Sequence, residues 1–200
     1  LPEFAVIVLA AGESSRMGSP KQLLEFRGKP LIRHAVETAL ASGCTAVVVV
    51  LGAHAAVVRA ALDGVAAGSK IMCFVGNPRW AEGMGSSIQA GLAEAVALGV
   101  EGVVLALADQ PMVTPEMLDW LVGEHTRTGL PIVASRYSGT VGVPVYFAKE
   151  RFAALQALAP DQGCKGVILK GGESSFLVDC PAAAVDVDTP GDYAAVAERA

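Results

Sequence analysis

Six short apolar, β-branched runs recur along the chain with helix-like segments between them, and this alternation limits the fold more than any other feature. The runs are Phe4 to Leu9, Val47 to Leu51, Ile71 to Val75, Val103 to Leu107, Ile132 to Ala134 and Val143 to Phe147. Strands that are apolar along their whole length are those covered on both faces of a sheet. Between them, Leu31 to Ala41 follows Pro30, Gly52 to Leu62 ends at Gly64, and Ser86 to Leu98 ends at Gly99, each a helix pattern with its stop or start signal. Thr114-Pro115-Glu116 and Thr189-Pro190-Gly191-Asp192 both read as an N-cap followed by proline at the first helical position. The alternation predicts an α/β fold: a single-domain, doubly wound, mostly parallel sheet whose ligands sit beyond the carboxyl ends of the strands.

Composition narrows what such a sheet can serve. At about 150 residues per domain, residues 1–200 make one domain, able to bury about 70% of the surface its unfolded chain exposes. A hydrophobic content of 52% excludes disorder. With 15 Lys plus Arg against 20 Asp plus Glu, the net charge of −5 leaves no basic excess to neutralise a nucleic-acid backbone, so an anionic ligand must be met locally. The stretch from Thr38 to Val58 carries no Asp, Glu, Lys or Arg. Gly43, Gly52 and the polar Ser42, Thr45 and His54 interrupt it, so it reads as helix end, buried strand and helix start rather than a membrane span. No basic region followed by a long apolar region and cleavage site opens the chain, and a secretory leader is not expected there; the start at Leu1 rather than Met leaves open what precedes it. Cys44, Cys73, Cys164 and Cys180 are scattered without C-x-x-C pairing or histidines at ligand spacing, the pattern of buried thiols in a reducing cytoplasm.

The first strand runs into LAAGESSRMGSPKQLL, residues 9–24. Gly12, Gly18, Ala10 and Ala11 let backbone N–H groups come close to phosphate oxygens. Arg16 can fork onto a polyphosphate, and Lys21 can place a point charge on it. The loop suits a nucleoside triphosphate. It is not a P-loop, since no Gly-Lys-Ser/Thr follows Gly18, and it is not the G-x-G-x-x-G dinucleotide fingerprint. Two further blocks bring small and acidic residues to strand ends. In GNPRWAEGMGSSIQAGL, residues 76–92, the small residues at a helix start offer donors and hydroxyls to a ribose or base edge. In LALADQPMVTPE, residues 105–116, Asp109 follows an apolar strand and should project at the carboxyl edge of the sheet. Asp186 and Asp188 in VDVDTPGDY point the same way if that stretch is a strand of period two. Carboxylates converging beside a triphosphate make a Mg²⁺ site, with phosphates and water completing the shell.

These residues carry a family resemblance. The pattern LAAG-x-S-x-R-M-G-x-x-K resembles the GT-A-like nucleotidyltransferases, a Rossmann-like fold, and in particular the molybdenum cofactor cytidylyltransferase group, related to the molybdopterin guanylyltransferases. The resemblance implies that Leu9, Ala10, Ala11, Gly12, Arg16, Gly18 and Lys21 cradle the triphosphate. It implies that Asn77, Gly83, Ser86 and Ser87 lie along base and ribose, that Arg16, Lys21 and Asp109 are catalytic, and that Asp109 and Asp188 are the metal ligands. Asp186 is a weaker candidate. The implied reaction is attack by an acceptor phosphate on the α-phosphorus of the nucleotide, with release of pyrophosphate and no need of a general base. His34, His54 and His125 all fall at helix-like positions and read as surface or packing residues.

Guanylyl-transferring relatives typically carry LAGG, so Ala11 makes CTP the first choice, with GTP and ATP open. PDQGCKGVIL, residues 160–169, resembles the acceptor-proximal loop of the family and implies Asp161, Gly163 and Lys165 near the phosphate of a molybdopterin-type acceptor. Where the family often has Gly-His-Pro or Gly-Asn-Pro, this chain has Gly142-Val143-Pro144 and lacks the polar side chain. The implied protein partner is a molybdoenzyme maturation factor or target enzyme. Residues 19–40 also share their style with methylerythritol-phosphate cytidylyltransferases and sugar-nucleotide synthases, which act on other small phosphorylated metabolites. Asp109-Gln110-Pro111 and Met84-Gly85-Ser86-Ser87 favour the molybdopterin group. A catalytically silent nucleotide-binding regulatory partner is the alternative of another class; the intact Arg16, Lys21 and Asp109 speak against it.

Overall fold

A computed structural model describes residues 3–15 and 17–198. An inner strand of its sheet is β1, Phe4–Ala10, every residue of which is buried. Around it stand β4 (Ala46–Leu51), β5 (Ile71–Gly76), β6 (Gly102–Leu107), β7 (Ile132–Tyr137), β8 (Thr140–Ala148) and β9 (Ser175–Asp179). They form one seven-stranded sheet in the order β5-β4-β1-β6-β8-β7-β9. β1, β4, β5 and β6 are mutually parallel, as are β7 and β9, while β8 runs antiparallel to both its neighbours. Two-residue strands β2 (Glu25–Phe26) and β3 (Lys29–Pro30) make a separate ribbon.

The helices are α1 (Leu31–Ala41), α2 (Ala55–Ala60), α3 (Met84–Ala97), α4 (Pro115–Thr128), α5 (Phe152–Gln156), α6 (Lys165–Gly171) and α7 (Pro190–Ala197). Alternate residues of β1 feed opposite cores. Phe4, Val6 and Val8 pack with Val36 of α1, Val58 of α2 and Leu121 of α4, whereas Ala5 and Ile7 pack with Ile88 and Leu92 of α3, Leu155 of α5 and Ile168 of α6. This burial on both faces explains the unbroken apolar runs. At Gly91, α3 lies so close to the sheet that a Cβ would stand 2.8 Å from Val50 Cγ2. No helix among the described residues is long and apolar enough to cross a membrane; the uncharged stretch 38–58 is the end of α1, β4 and the start of α2.

Several boundaries differ from the sequence expectation. The helix expected over Gly52 to Leu62 is α-helical only over Ala55–Ala60, and β9 was not anticipated, because its edge position leaves Ser175, Phe176 and Leu177 half-buried. Residues 185–189 are not a strand. The period-two alternation still holds there, because Val187 is fully buried beside Phe26, Leu31 and Val196 while its two aspartate neighbours face the other way, onto the cavity described below.

The registers Ala10↔Leu51 and Leu9↔Leu107 bring the carboxyl ends of β4, β1 and β6 level. That shared edge is where the loops after β1 and β6 meet.

Candidate active site

Over the level edge lies a cavity of about 430 Å³. Leu9, Ala10, Ala11 and Gly12 form one wall, with Lys21 and Gln22 beside them. The loop is held on two sides: Ala53 N–H donates to Ala11 O (3.1 Å), and Gln22 Nε2 donates to Gly12 O (2.9 Å) and Ala10 O (3.3 Å). Lys21 opens a short 3-10 turn, Lys21–Leu23, and lines the cavity.

The opposite wall is acidic. Asp109 follows β6, and Ala108 N–H donates to Leu9 O (3.2 Å), which ties that strand end to β1. Val187 N–H donates to Asp109 O (3.1 Å), and this bond, with burial of Val187, sets Asp186 and Asp188 on the cavity. Beyond them, Thr189 and Asp192 form a reciprocal capping box at the start of α7, and Asp192 also accepts from Asp188 N–H (3.2 Å).

Lys21 Nζ bridges the two carboxylates predicted as metal ligands. It donates to Asp188 Oδ1 at 2.7 Å and pairs with Asp109 Oδ2. Burial pulls the Lys21 pKa down, but Asp109 and Asp188 together outweigh it and hold the ammonium above its ordinary 10.5. Burial pushes the Asp109 carboxyl above the usual carboxylate range; Lys21 opposes this, and Asp188 and Asp186 add to it. Asp109 Oδ1 is buried and meets no hydrogen-bond partner among the described residues. A buried oxygen left over in this way, beside a second carboxylate, fits a hard divalent cation that takes one or two protein oxygens and leaves its remaining positions to phosphate and water. No cluster of three or more His, Cys, Asp or Glu able to hold a metal by themselves occurs among the described residues.

The base and ribose candidates divide. Gly83 and Ser87 line the cavity. Asn77 and Ser86 stand behind it, where Asn77 Nδ2 donates to Ser86 Oγ (2.9 Å) and Ser87 Oγ (3.0 Å), and the single Ser86 hydroxyl proton is shared between the main-chain oxygens of Arg79 and Gly83, each 2.8 Å from Oγ. This network shapes the entry to α3. Gly83 has φ +122°, and a Cβ there would come within 2.7 Å of Asp161 Cα. The expected acceptor loop thus buttresses the start of α3: Ser86 N–H donates to Pro160 O, Gly163 packs toward Met84, and Lys165 donates to Thr140 Oγ1 at 2.6 Å. Asp161, Gly163 and Lys165 are not among the residues lining the cavity. Gly18 adopts a left-handed φ of +69° on the loop, also away from the lining. Arg16 lies outside the described residues.

Gln22, Trp80, Met84 and Asp186 line the cavity as well. Gln22 was not singled out in the sequence; its only signal is its place directly after Lys21. The three histidines bond main-chain oxygens, His34 to Pro111 O, His54 to Glu13 O and His125 to Leu130 O.

The doubly wound sheet, with a glycine-bearing loop, a half-buried lysine and paired aspartates at its carboxyl edge, belongs to a nucleotidyltransferase, as the family match shows. The chain belongs to the MobA-like NTP transferase domain family, whose model matches residues 6–175. Among curated relatives, nicotine blue oxidoreductase of Paenarthrobacter nicotinovorans is 34% identical, over 94% of this chain and 94% of its own length. The purine catabolism protein PucB of Bacillus subtilis is 29% identical, over 96% of this chain and 95% of its own. Among solved structures, Rv0371c of Mycobacterium tuberculosis superposes with a TM-score of 0.80 at 30% identity, covering 98% of both chains. A second structure of that protein is a complex with manganese, with a TM-score of 0.74 at 28% identity, covering 99% of this chain and 100% of the other.

Proposed function

We propose that residues 1–200 act as one cytoplasmic nucleotidyltransferase domain that transfers CMP from CTP to the phosphate of a molybdopterin-type acceptor, with Mg²⁺ as cofactor and pyrophosphate as leaving group. The observation that carries the reading is Lys21 bridging Asp109 and Asp188 on the cavity of about 430 Å³ at the sheet's carboxyl edge. CTP is preferred on Ala11, and the acceptor on the resemblance of residues 76–92 and 105–116. Four unpaired cysteines support a reducing compartment.

In this reading the loop after β1 binds the triphosphate through its main-chain N–H groups, with Arg16 and Lys21 supplying charge. Asp109 and Asp188 would hold Mg²⁺, and Asp186 adds negative charge beside them. When bound, the metal supplies Lewis-acid polarisation of the phosphoryl oxygens. The acceptor phosphate oxygen attacks the α-phosphorus in line: its O–P bond forms, the bond to the leaving pyrophosphate breaks, and Lys21 neutralises charge spreading onto the phosphoryl oxygens. The acceptor phosphate is ionised near neutral pH, so no general base is required. The histidines, engaged with main-chain oxygens, need take no part.

The test is incubation with each of the four NTPs and Mg²⁺, with molybdopterin cofactor or other phosphorylated acceptors, while pyrophosphate is monitored. Turnover with CTP and the pterin supports the proposal. Turnover with another NTP or acceptor reassigns the substrate, and nucleotide binding without turnover supports a silent regulatory module.

A further inference from the structure

We propose that Gln22 is a positioning residue for nucleotidyl transfer, whose buried carboxamide holds the loop after β1 in the conformation that receives the triphosphate. The inference rests on the reading of that loop as the phosphate cradle.

Gln22 is only 2% exposed. Among the described residues, its side-chain hydrogen bonds go to the loop rather than to the core of the sheet. Nε2 donates to Ala10 O (3.3 Å) and Gly12 O (2.9 Å), and Oε1 accepts from the Ser14 hydroxyl (3.2 Å). Ser14 Oγ in turn accepts from Lys21 N–H (3.0 Å), so the same network fixes the turn that carries the lysine. Ala53 N–H holds the intervening Ala11 O from the other side. Three consecutive carbonyls are therefore tethered.

In a trans peptide the C=O and N–H point in opposite directions. Fixing Ala10 O and Gly12 O on Gln22 turns the N–H groups of Ala11 and Glu13 away from it, and fixing Ala11 O on Ala53 turns the N–H of Gly12 away from that residue. The N–H groups of Ala11 and Glu13 are thereby held on one side of the loop as the donors offered to phosphate oxygens, while the intervening N–H of Gly12 faces the other way. Ser14 pays a conformational penalty in the network: its φ of +62° is left-handed, uncommon for a residue with a Cβ.

The chemistry at position 22 is specific. Two carbonyls and one hydroxyl proton need an amide, with NH₂ donors on one atom and an acceptor on the other. A carboxylate would set an acceptor against the carbonyls, and a thioether would fill the space without donating.

The test measures binding of inorganic tripolyphosphate by calorimetry, and steady-state kinetics with NTP, for the wild type, Gln22→Glu, Gln22→Met and Ser14→Gly. The expected result is a rise in the tripolyphosphate Kd and the NTP KM of about tenfold for Gln22→Met and more for Gln22→Glu, the scale of a lost buried hydrogen-bond network. A kcat changed far less than KM is the mark of lost binding shared by ground and transition state, as expected of a loop that no longer holds the triphosphate. Ser14→Gly keeps the left-handed backbone accessible while deleting both serine bonds, and it carries the test if a Gln22 variant melts below assay temperature. Folded variants that bind tripolyphosphate as the wild type does overturn the assignment of Gln22. Failure of the wild type itself to bind tripolyphosphate overturns the cradle reading and the clamp with it.

Discussion

Lys21 and Asp188 stand 167 residues apart in the sequence and meet through a 2.7 Å hydrogen bond, with Asp109 on the other side of the same ammonium. This bridge draws the first loop, the end of β6 and the segment before α7 into one constellation. Removing its cation tests catalysis and folding separately. Lys21→Ala is expected to lower turnover by about 10²–10³, the scale of losing one group that stabilises transition-state charge. Pyrophosphate release with CTP and Mg²⁺ measures turnover, and circular dichroism follows the fold. Unchanged release would remove the role given to Lys21.

Asp109→Asn should separate metal dependence from stability. Burial already disfavours the charged carboxyl, and the amide has the same shape, so a thermal midpoint close to that of the wild type is expected. Mg²⁺-dependent transfer should fall to background, and Mn²⁺ titration followed by electron paramagnetic resonance should show weakened binding with nucleotide present. Full activity in this variant would end the metal assignment.

Gly83→Ala is expected to cost about 1–3 kcal/mol, because the φ of +122° disfavours any Cβ and the Asp161 backbone occupies the space one would need. Chemical denaturation gives the stability change. Since Gly83 also lines the cavity, a rise in nucleotide KM should accompany it.

The cap of α7 makes stability depend on acid. Hydrogen bonds from Thr189, side chain first and then main chain, hold the Asp192 carboxyl below its ordinary 3.8. A group with a depressed folded pKa contributes fully above the unfolded value and loses that contribution as pH falls through the folded one. The stability difference between wild type and Asp192→Asn should thus be constant above about pH 5 and shrink below about pH 3.8. Thermal melts across pH 2.5–7 check this; a difference that persists undiminished at the acid end would contradict it.

Much of the frame was legible because burial on both faces leaves a plain mark: the apolar runs became β1, β4, β5, β6, β7 and β8, and Leu31–Ala41 emerged as written. β9 was hidden because an edge strand with half-buried residues does not read as a continuous apolar run. The antiparallel direction of β8 was equally invisible, since an apolar run does not encode its sense. At the site, the sequence pointed to Lys21, Asp109 and Asp188 separately, and the fold brings them into contact. Asn77 and Ser86 bond each other and the main chain behind the cavity, a placement that no sequence pattern encodes. Gln22 went unnoticed because its importance lies in which carbonyls it reaches, a property of folded backbone rather than of residue type.

Asp186 and Asp188 follow every strand of the main sheet in the sequence, and this order governs how the site is completed during biosynthesis. As the polypeptide leaves the ribosome, the glycine-bearing loop, Lys21 and Asp109 are all available before the segment 185–192 has been made. A nascent chain that has reached the end of β9 holds every strand of the main sheet, yet its lysine has found only one of its two carboxylates. The segment 185–192 closes the acidic wall, so the centre is completed only after every strand of the main sheet has been made.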